Sequence, residues 1–200
     1  MNYNYIAPYY DFLSRLCFLN RQQNAHKIIL KHLNSNDKIL WLGGGSGWFL
    51  PEIERLGVKL SIDYVEVSSV MIEKAKKYNC NNISIKFILD DILNFKSNQS
   101  YDVVITAFIF DHFKRKDCEL IFNRFNLNLR DKGKWFYIDF CEDQNVFQRF
   151  LTRSMVLFFS IIAGIKTKDF PEIEYLFDEF KLIDQQHFFA KYIQANVYQK

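Results

Sequence analysis

The sequence predicts an α/β fold, a three-layer sandwich in which helices cover both faces of a seven-stranded, mostly parallel sheet. Two observations support this prediction. Short apolar runs alternate with helix-like patterns through most of the chain, and such alternation is typical of a parallel sheet with helices on its two faces. The last twenty residues instead contain two strand-like runs around a short turn near Lys191, which predicts an antiparallel hairpin at one edge of the sheet.

The first half of the chain supplies an N-terminal helical segment and two strand–helix units. Apolar residues at helical spacing predict one or two helices within residues 1–33. The first strand is KILWLGG and the second is KLSIDYVEV. The helix between them, WFLPEIERLG, ends at Gly57 and holds Pro51 in its first turn, where proline is tolerated. After the second strand, a serine cap opens the helix SSVMIEKAKKYN.

The second half continues the alternation up to the final hairpin. Strands are predicted at ISIKFILDD, YDVVITAFIF and GKWFYIDF, the last of which is entered through a glycine turn. An amphipathic helix, KRKDCELIFNRFNLNL, precedes the third of these strands, and a helical region at 146–165 follows it. Because no linker or internal repeat interrupts the pattern, residues 1–200 are expected to form one domain.

Composition and charge exclude several classes of protein. The net charge of +3 comes from interleaved acids and bases without a basic stripe, so nucleic acid is not the expected partner. The four cysteines form no C-x-x-C pair, which disfavours a zinc or redox site and favours a reduced, cytoplasmic location. No secretory signal is recognisable. The eleven apolar residues at Met155–Ile165 fall short of the roughly 20 that span a bilayer.

A glycine-rich loop follows the first strand and marks a candidate ligand site. In open α/β sheets, ligands bind beyond the carboxyl ends of the strands, and glycines let a ligand approach the backbone. A dinucleotide loop requires a small residue at the position held by Trp48, so a nucleotide-dependent dehydrogenase is disfavoured. The spacing Gly43-x-Gly45-x-Gly47 is typical of sites for S-adenosylmethionine (SAM).

Carboxylates close the next two strands. Glu66 ends the second strand, where a carboxylate can accept hydrogen bonds from both hydroxyls of a ribose. Asp91 ends the third strand and is placed to accept a hydrogen bond from an adenine amino group. Each acid alone is also consistent with an exposed carboxylate at a strand end. The glycine loop and the two acids, however, follow three successive strands, and together they favour one binding site.

On these motifs the chain resembles the class I SAM-dependent methyltransferases, in particular the small-molecule type with a Rossmann-like fold. The resemblance runs from about Tyr9 to the C-terminus. It rests on ILWLGGGSGWF, YVEVSSVMIEKAKK, IKFILDDIL, YDVVITAFIFDHF, LRDKGKWFYIDF and the final hairpin. It implies SAM as cofactor, S-adenosylhomocysteine (SAH) as its product, and no metal.

The resemblance also implies roles for individual residues. Gly43, Gly44 and Gly45 would line the methionine moiety, and Glu66 would bind the ribose. The adenine would be contacted by Val67, Met71, Asp91 and Ile92. Ala107 and Phe108 would contact the methionyl end. Tyr10, in the stretch APYYDF, is similar to a tyrosine that approaches the cofactor in some members.

Trp41 departs from the family pattern. Members usually carry Asp or Glu at this position, near the methionyl amine, whereas the indole of Trp41 needs burial and a partner for its N–H. An alternative is therefore a catalytically degraded relative of this fold that acts as a binding or regulatory protein.

The expected acceptor is an unidentified small molecule. Nucleobase-amine enzymes typically show an Asn/Asp-Pro-Pro-aromatic motif after the fourth strand, and cytosine-carbon enzymes a Pro-Cys nucleophile; the sequence has neither. His112, which follows the fourth strand, is a candidate general base, with a packing or capping histidine as the alternative. Tyr10 is a candidate for orienting the substrate or the cofactor, with simple packing as the alternative.

One apolar segment leaves two interpretations open. Residues 145–170, which include Met155–Ile165 and flanking basic residues, lie where such enzymes often insert a substrate-covering element. The segment is either a cover for a lipophilic acceptor, which a membrane surface could also deliver, or a helix buried against the sheet. The sequence leaves the oligomeric state undetermined.

Overall fold

Seven strands form one sheet in the computed structural model, which describes residues 21–141, 171–189 and 191–200. The spatial order is β3-β2-β1-β4-β5-β7-β6. Strands β1 to β5 are parallel, and β7 runs antiparallel to both β5 and β6. This arrangement confirms the predicted sheet and its antiparallel last strand. The strands are β1 Lys38–Leu42, β2 Leu60–Glu66, β3 Ile83–Leu89, β4 Tyr101–Ala107, β5 Leu129–Phe140, β6 Lys181–Phe188 and β7 Ile193–Gln199.

Helices connect the parallel strands and cover the sheet. The described α-helices are α1 Arg21–Leu30, α2 Leu50–Glu54, α3 Ser69–Ala75 and α4 Arg115–Asn126, with 3₁₀ turns at Phe110–His112 and Glu174–Phe177. Ser68 caps α3 as predicted, because its hydroxyl oxygen accepts the backbone N–H of Met71 at 3.3 Å. Pro51 lies in the first turn of α2, where a missing N–H leaves no hydrogen bond unmade.

Two hydrophobic cores lie on opposite faces of the sheet. Successive residues of a strand point to opposite faces, so β5 places Phe136 and Ile138 in one core and Trp135 and Tyr137 in the other. Helix α1 packs in the first core and α4 in the second. The result is the predicted sandwich of three layers.

Strand β5 differs from its prediction at the start. It begins at Leu129 instead of after a glycine turn, and its register with β4 shifts just after the pairing of Tyr101 with Leu129. Lys132 has a φ of 61°, and a Cβ on Gly133 would lie 2.7 Å from the carbonyl oxygen of Arg130. Gly133 therefore serves an irregularity inside the strand, of the kind a β-bulge makes, where a side chain would clash.

Several predictions fall on residues outside those that the structure describes. They concern Tyr10, the first part of the N-terminal helical segment and the segment 145–170 with Met155–Ile165. The single domain over residues 1–200 also stays a prediction. Among the described helices, none has the length and apolar character needed to cross a membrane.

Candidate functional site

The candidate site lies where the strand order of the sheet reverses. Strands β2 and β3 lie on one side of β1, and β4 and β5 lie on the other. At this point the connections leave in opposite directions, which opens a crevice beyond the carboxyl ends of the strands. The loop Gly43–Gly45 follows β1, Glu66 ends β2, and Ala107 ends β4. The topology thus brings the predicted loop and both strand ends to one crevice.

The glycine loop is closed underneath and open above. Gly43 and Gly44 donate their N–H groups to the carbonyl of Val65 at 2.9 and 3.3 Å. A Cβ on Gly43 would lie 1.9 Å from Cδ1 of Ile109. Gly45 has a φ of +65°, which favours glycine, yet a Cβ there would meet nothing within 4 Å. A ligand can therefore approach the backbone at Gly45.

Glu66 ties the end of β2 to this loop. Its side chain is only 8 % exposed; Oε2 accepts the N–H of Gly45 at 3.0 Å and Oε1 accepts the N–H of Ser68 at 2.8 Å. Burial raises the pKa of this carboxyl group, and the backbone hydrogen bonds act in the opposite direction. Each oxygen retains a further lone pair, so the carboxylate can still accept two hydroxyl groups.

The remaining predicted cofactor residues differ in their exposure to solvent. Met71, Ile92, Ala107 and Phe108 are buried, whereas Val67, directly after Glu66, is 41 % exposed. The Oδ1 atom of Asp91 accepts the N–H of Leu93 at 2.9 Å. That these residues contact a cofactor stays a prediction.

Trp41 lies in the core beneath the loop. It is 3 % exposed, and its ring centroid lies 5.7 Å from that of Tyr64 and 6.4 Å from that of Phe49. The hydroxyl of Tyr64 donates to the carbonyl of Gly45 at 3.1 Å. An aromatic cluster that supports the loop from below thus lies where the family that the sequence resembles usually carries a carboxylate.

Trp48 and Gly47 explain why the loop differs from a dinucleotide loop. The indole of Trp48 packs on His26 and Phe49, with ring centroids 4.8 and 5.4 Å apart. The loop approaches the neighbouring helix α3 most closely at Gly47, where a Cβ would lie 2.7 Å from the Cβ of Ala75. The position that a dinucleotide fold keeps small is therefore filled by a packed indole.

His112 lies in a cluster with two carboxylates, of which Asp139 is buried while Asp111, like His112, is partly buried. Its Nε2 atom lies 3.5 Å from Oδ1 of Asp111 in the turn after β4. Asp139, which is 2 % exposed, accepts the N–H of Phe110 at 3.0 Å and that of Phe140 at 2.9 Å. Sequence reasoning missed Asp139; the signal was an acid near the end of an otherwise apolar strand. Asp139 attaches the turn that carries His112 to the end of β5.

Burial dominates the electrostatics of this cluster. It raises the pKa of Asp111 to about 7 and raises that of Asp139 well above its ordinary value, with a further increase from the charge of Asp111. Burial lowers the pKa of His112, although the charges of Asp139 and Glu66 act to raise it. A neutral imidazole can accept a proton. Within the described residues, no group of His, Cys, Asp and Glu could hold a metal ion.

The Asp111 carboxyl group should make stability pH-dependent. Its pKa rises from 3.8 when unfolded to about 7 when folded, so the folded chain holds the proton more tightly and wild-type stability falls as pH rises through this window. Asp111→Asn removes this pH dependence. Its free energy of unfolding relative to that of wild type should therefore increase as pH rises between the two pKa values, by on the order of 1 kcal/mol or more. The lowered pKa of His112 acts in the opposite direction in both proteins. Urea unfolding at several pH values measures the difference.

The control for this experiment is Asp131→Asn, which removes an exposed carboxylate. Its stability difference from wild type should vary little with pH. An Asp111→Asn difference that is equally flat would contradict the assigned burial effect.

Comparisons with known proteins agree with this geometry. A family model described as a methyltransferase domain matches residues 39–133, which include the glycine loop, Glu66 and Asp91. Comparison with curated proteins gave no match.

Solved structures of methyltransferases share the fold. The N-methyltransferase NodS from Bradyrhizobium japonicum, in complex with SAH, is 13 % identical with a TM-score of 0.63, covering 90 % of this chain and 86 % of that one. The 1,6-didemethyltoxoflavin-N1-methyltransferase from Burkholderia thailandensis, with that compound and SAH bound, is 15 % identical with a TM-score of 0.67, covering 98 % and 84 %. A SAM-dependent methyltransferase from Methanosarcina mazei is 17 % identical with a TM-score of 0.59, covering 86 % and 96 %.

At these identities the structural likeness establishes the fold and no more. The matching family model adds the sequence relationship over the half of the sheet that holds the crevice. Residues 39–133 therefore match a methyltransferase domain, and the chain has the fold of the SAM-dependent methyltransferases, whose cofactor is S-adenosylmethionine.

Proposed function

We propose that the protein binds SAM in the crevice between β1 and β4 and transfers its methyl group to a small molecule. The observation that carries this proposal is the Glu66 carboxylate, fixed by the N–H of Gly45 at the switch point of the sheet. It supports a ribose site because the carboxylate is held rigidly and keeps acceptor capacity on both oxygens. The family match does not favour the alternative of a degraded relative.

The residues around the crevice fit the parts of this cofactor. The open space above Gly45 accommodates an amino-acid moiety against the loop backbone. Val67 offers an exposed apolar surface and Met71 is buried on α3, and apolar side chains at these positions suit an adenine ring. Asp91 and Ile92 would lie at the polar edge of that ring, and Ala107 and Phe108 would contact the methionyl end.

In methyl transfer the protein itself forms no covalent bond to the cofactor or the acceptor. The cofactor supplies a methyl group on a positively charged sulfur, and the protein aligns the acceptor with it and excludes water. Where the acceptor carries a proton, His112 is a candidate to receive it, because burial lowers the pKa of its imidazole and so favours the neutral form. Asp139 positions His112 through its hydrogen bond to Phe110.

Calorimetric titration of the full chain tests the proposal. SAM and SAH should both bind with micromolar dissociation constants, and the dinucleotide NAD should not bind, because Trp48 fills the position that its loop keeps small. Failure of a folded protein to bind either SAM or SAH would overturn the proposal. Tight binding of NAD alone would replace it with a dinucleotide site.

The acceptor and the cellular location stay predictions. A small-molecule acceptor is supported by the absence of nucleobase-type motifs in the sequence. A cytoplasmic location is supported by the cysteine spacing.

A further inference from the structure

A cavity of about 320 Å³ lies at the same edge of the sheet as the crevice. It is lined by Phe140 and Cys141 at the carboxyl end of β5 and by Gln194 at the start of β7. These ends meet because β7 runs antiparallel to β5, with Phe140 opposite Ile193. The volume is in the range of small-molecule sites.

The cavity borders the residues at the methionyl end of the candidate cofactor site. Strand β5 is the direct neighbour of β4, and adjacent strands lie about 5 Å apart. The ring of Phe140, which lines the cavity, packs on the ring of Phe108 with centroids 5.0 Å apart. A molecule that contacts Phe140 in the cavity therefore lies beside the ring that packs on Phe108 after the end of β4.

Two carboxylates line the cavity on the side that is formed by residues 171–175. Glu172, Glu174 and Tyr175 all line the cavity. Glu174 is held in place, since its Oε1 atom accepts Nε2 of Gln194 at 2.5 Å and its Oε2 atom accepts the N–H of Ile173 at 3.1 Å. Gln194 is itself only 5 % exposed. The position of the Glu174 carboxylate is therefore built into the fold.

The described residues that line the cavity carry negative charge. Among the described residues that line it, none is basic. The pKa of the Cys141 thiol is raised to about 12, by burial and then by the charge of Glu174. Arg115, which lies 4.6 Å from the ring centroid of Tyr175, is paired with Glu119 of α4 at 3.5 Å.

We propose that this cavity binds the methyl acceptor and that the acceptor is a small molecule with a cationic amine on an apolar or aromatic body. The inference rests on the proposed function and adds the chemical class of its substrate. The carboxylates of Glu172 and Glu174 accept hydrogen bonds from the ammonium group, and the rings of Phe140 and Tyr175 pack on the body. The carboxylates thus select an acceptor by its positive charge, whichever of its atoms is methylated.

Cys141 provides a reporter inside the cavity. The full chain is treated separately with cationic aminoethyl methanethiosulfonate and anionic sulfonatoethyl methanethiosulfonate, and mass spectrometry gives the labelling rate at Cys141 and at Cys80, which lies elsewhere. The cationic reagent should react faster at Cys141. Glu174→Gln should lower the cationic-to-anionic rate ratio about three- to tenfold. The ratio cancels the change in thiol reactivity that follows when Glu174 no longer raises the pKa of Cys141.

A matched control and a probe molecule complete the test. Glu179→Gln removes an exposed carboxylate that does not line the cavity and should leave the ratio at Cys141 unchanged. Phenethylammonium should slow labelling of Cys141 by neutral N-ethylmaleimide, whereas phenylacetate, of similar shape and opposite charge, should not. The ratio at Cys80 should be the same in all variants.

Three results would overturn the inference. They are a ratio at Cys141 that Glu174→Gln leaves unchanged, equal protection by phenylacetate, and no protection by phenethylammonium. Titration of the same sample with SAH separates the two proposals. If SAH binds and the cavity shows no preference for cations, the acceptor class is wrong and the cofactor site stands; if SAH does not bind, the proposed function fails regardless of the labelling result.

Discussion

Glu66→Ala is expected to weaken binding of SAH by at least about 100-fold, because hydrogen bonds to a charged acceptor contribute about 1.5–3 kcal/mol each and two ribose hydroxyls would lose theirs. The N–H groups of Gly45 and Ser68 also lose their acceptor, which loosens the loop against β2. Calorimetric titration with SAH measures the affinity, and thermal unfolding establishes that the variant is folded.

Glu66→Gln and Glu73→Ala separate the causes of this loss. The glutamine keeps one acceptor oxygen and the side-chain volume, so its affinity should lie between wild type and alanine. Glu73 is an exposed glutamate on the neighbouring helix α3, where it pairs with Lys76, and its replacement should leave SAH affinity unchanged. A folded Glu66→Ala protein that bound SAH like wild type would contradict the ribose assignment.

Gly47→Ala should strongly destabilise the fold, because the new Cβ would meet the backbone of the neighbouring helix. Gly47 has a φ of +73°, and a Cβ there would lie 2.9 Å from Cα of Ala75 and 2.7 Å from its Cβ. The backbone strain costs about 1–2 kcal/mol, and forced repacking adds about 1–3 kcal/mol. The free energy of unfolding, measured in urea, should fall by the sum.

Gly57→Ala is the matched control because it shares the strain without the crowding. Its φ is +67°, and a Cβ there would have no neighbour within 4 Å. It should lose only the strain contribution of about 1–2 kcal/mol. Equal losses for the two variants would show that the loop moves away from α3 without cost.

The sequence predicted much of the candidate site because the relevant patterns are local. A strand end, a glycine spacing and an acid at the next strand end can each be recognised within a few residues. The topology of the sheet sets the point at which the strand order reverses. At this point Gly45 contacts Glu66, which lies 21 residues later in the chain. The glycine loop and Glu66 therefore meet at one crevice, and contact of the other named residues with a cofactor stays a prediction.

The positioning of His112 could not be predicted in the same way. It depends on a hydrogen bond between Asp139 and the N–H of Phe110, which are 29 residues apart and meet only because β5 lies beside β4. The irregular start of β5 at Gly133 also follows from crowding against neighbouring backbone, which periodicity does not record.

By itself, the sequence determined the alternation of strands and helices, the antiparallel end of the sheet and the glycine and acid motifs, because burial on one or two faces imposes a local period on the chain. Only the tertiary structure decided which distant side chains share a cavity, as Cys141, Glu174 and Gln194 do. It also decided that Trp41 supports the loop from below. The physical reason is that contacts across a sheet depend on strand order and on side-chain packing, and neither is written in any short stretch of residues.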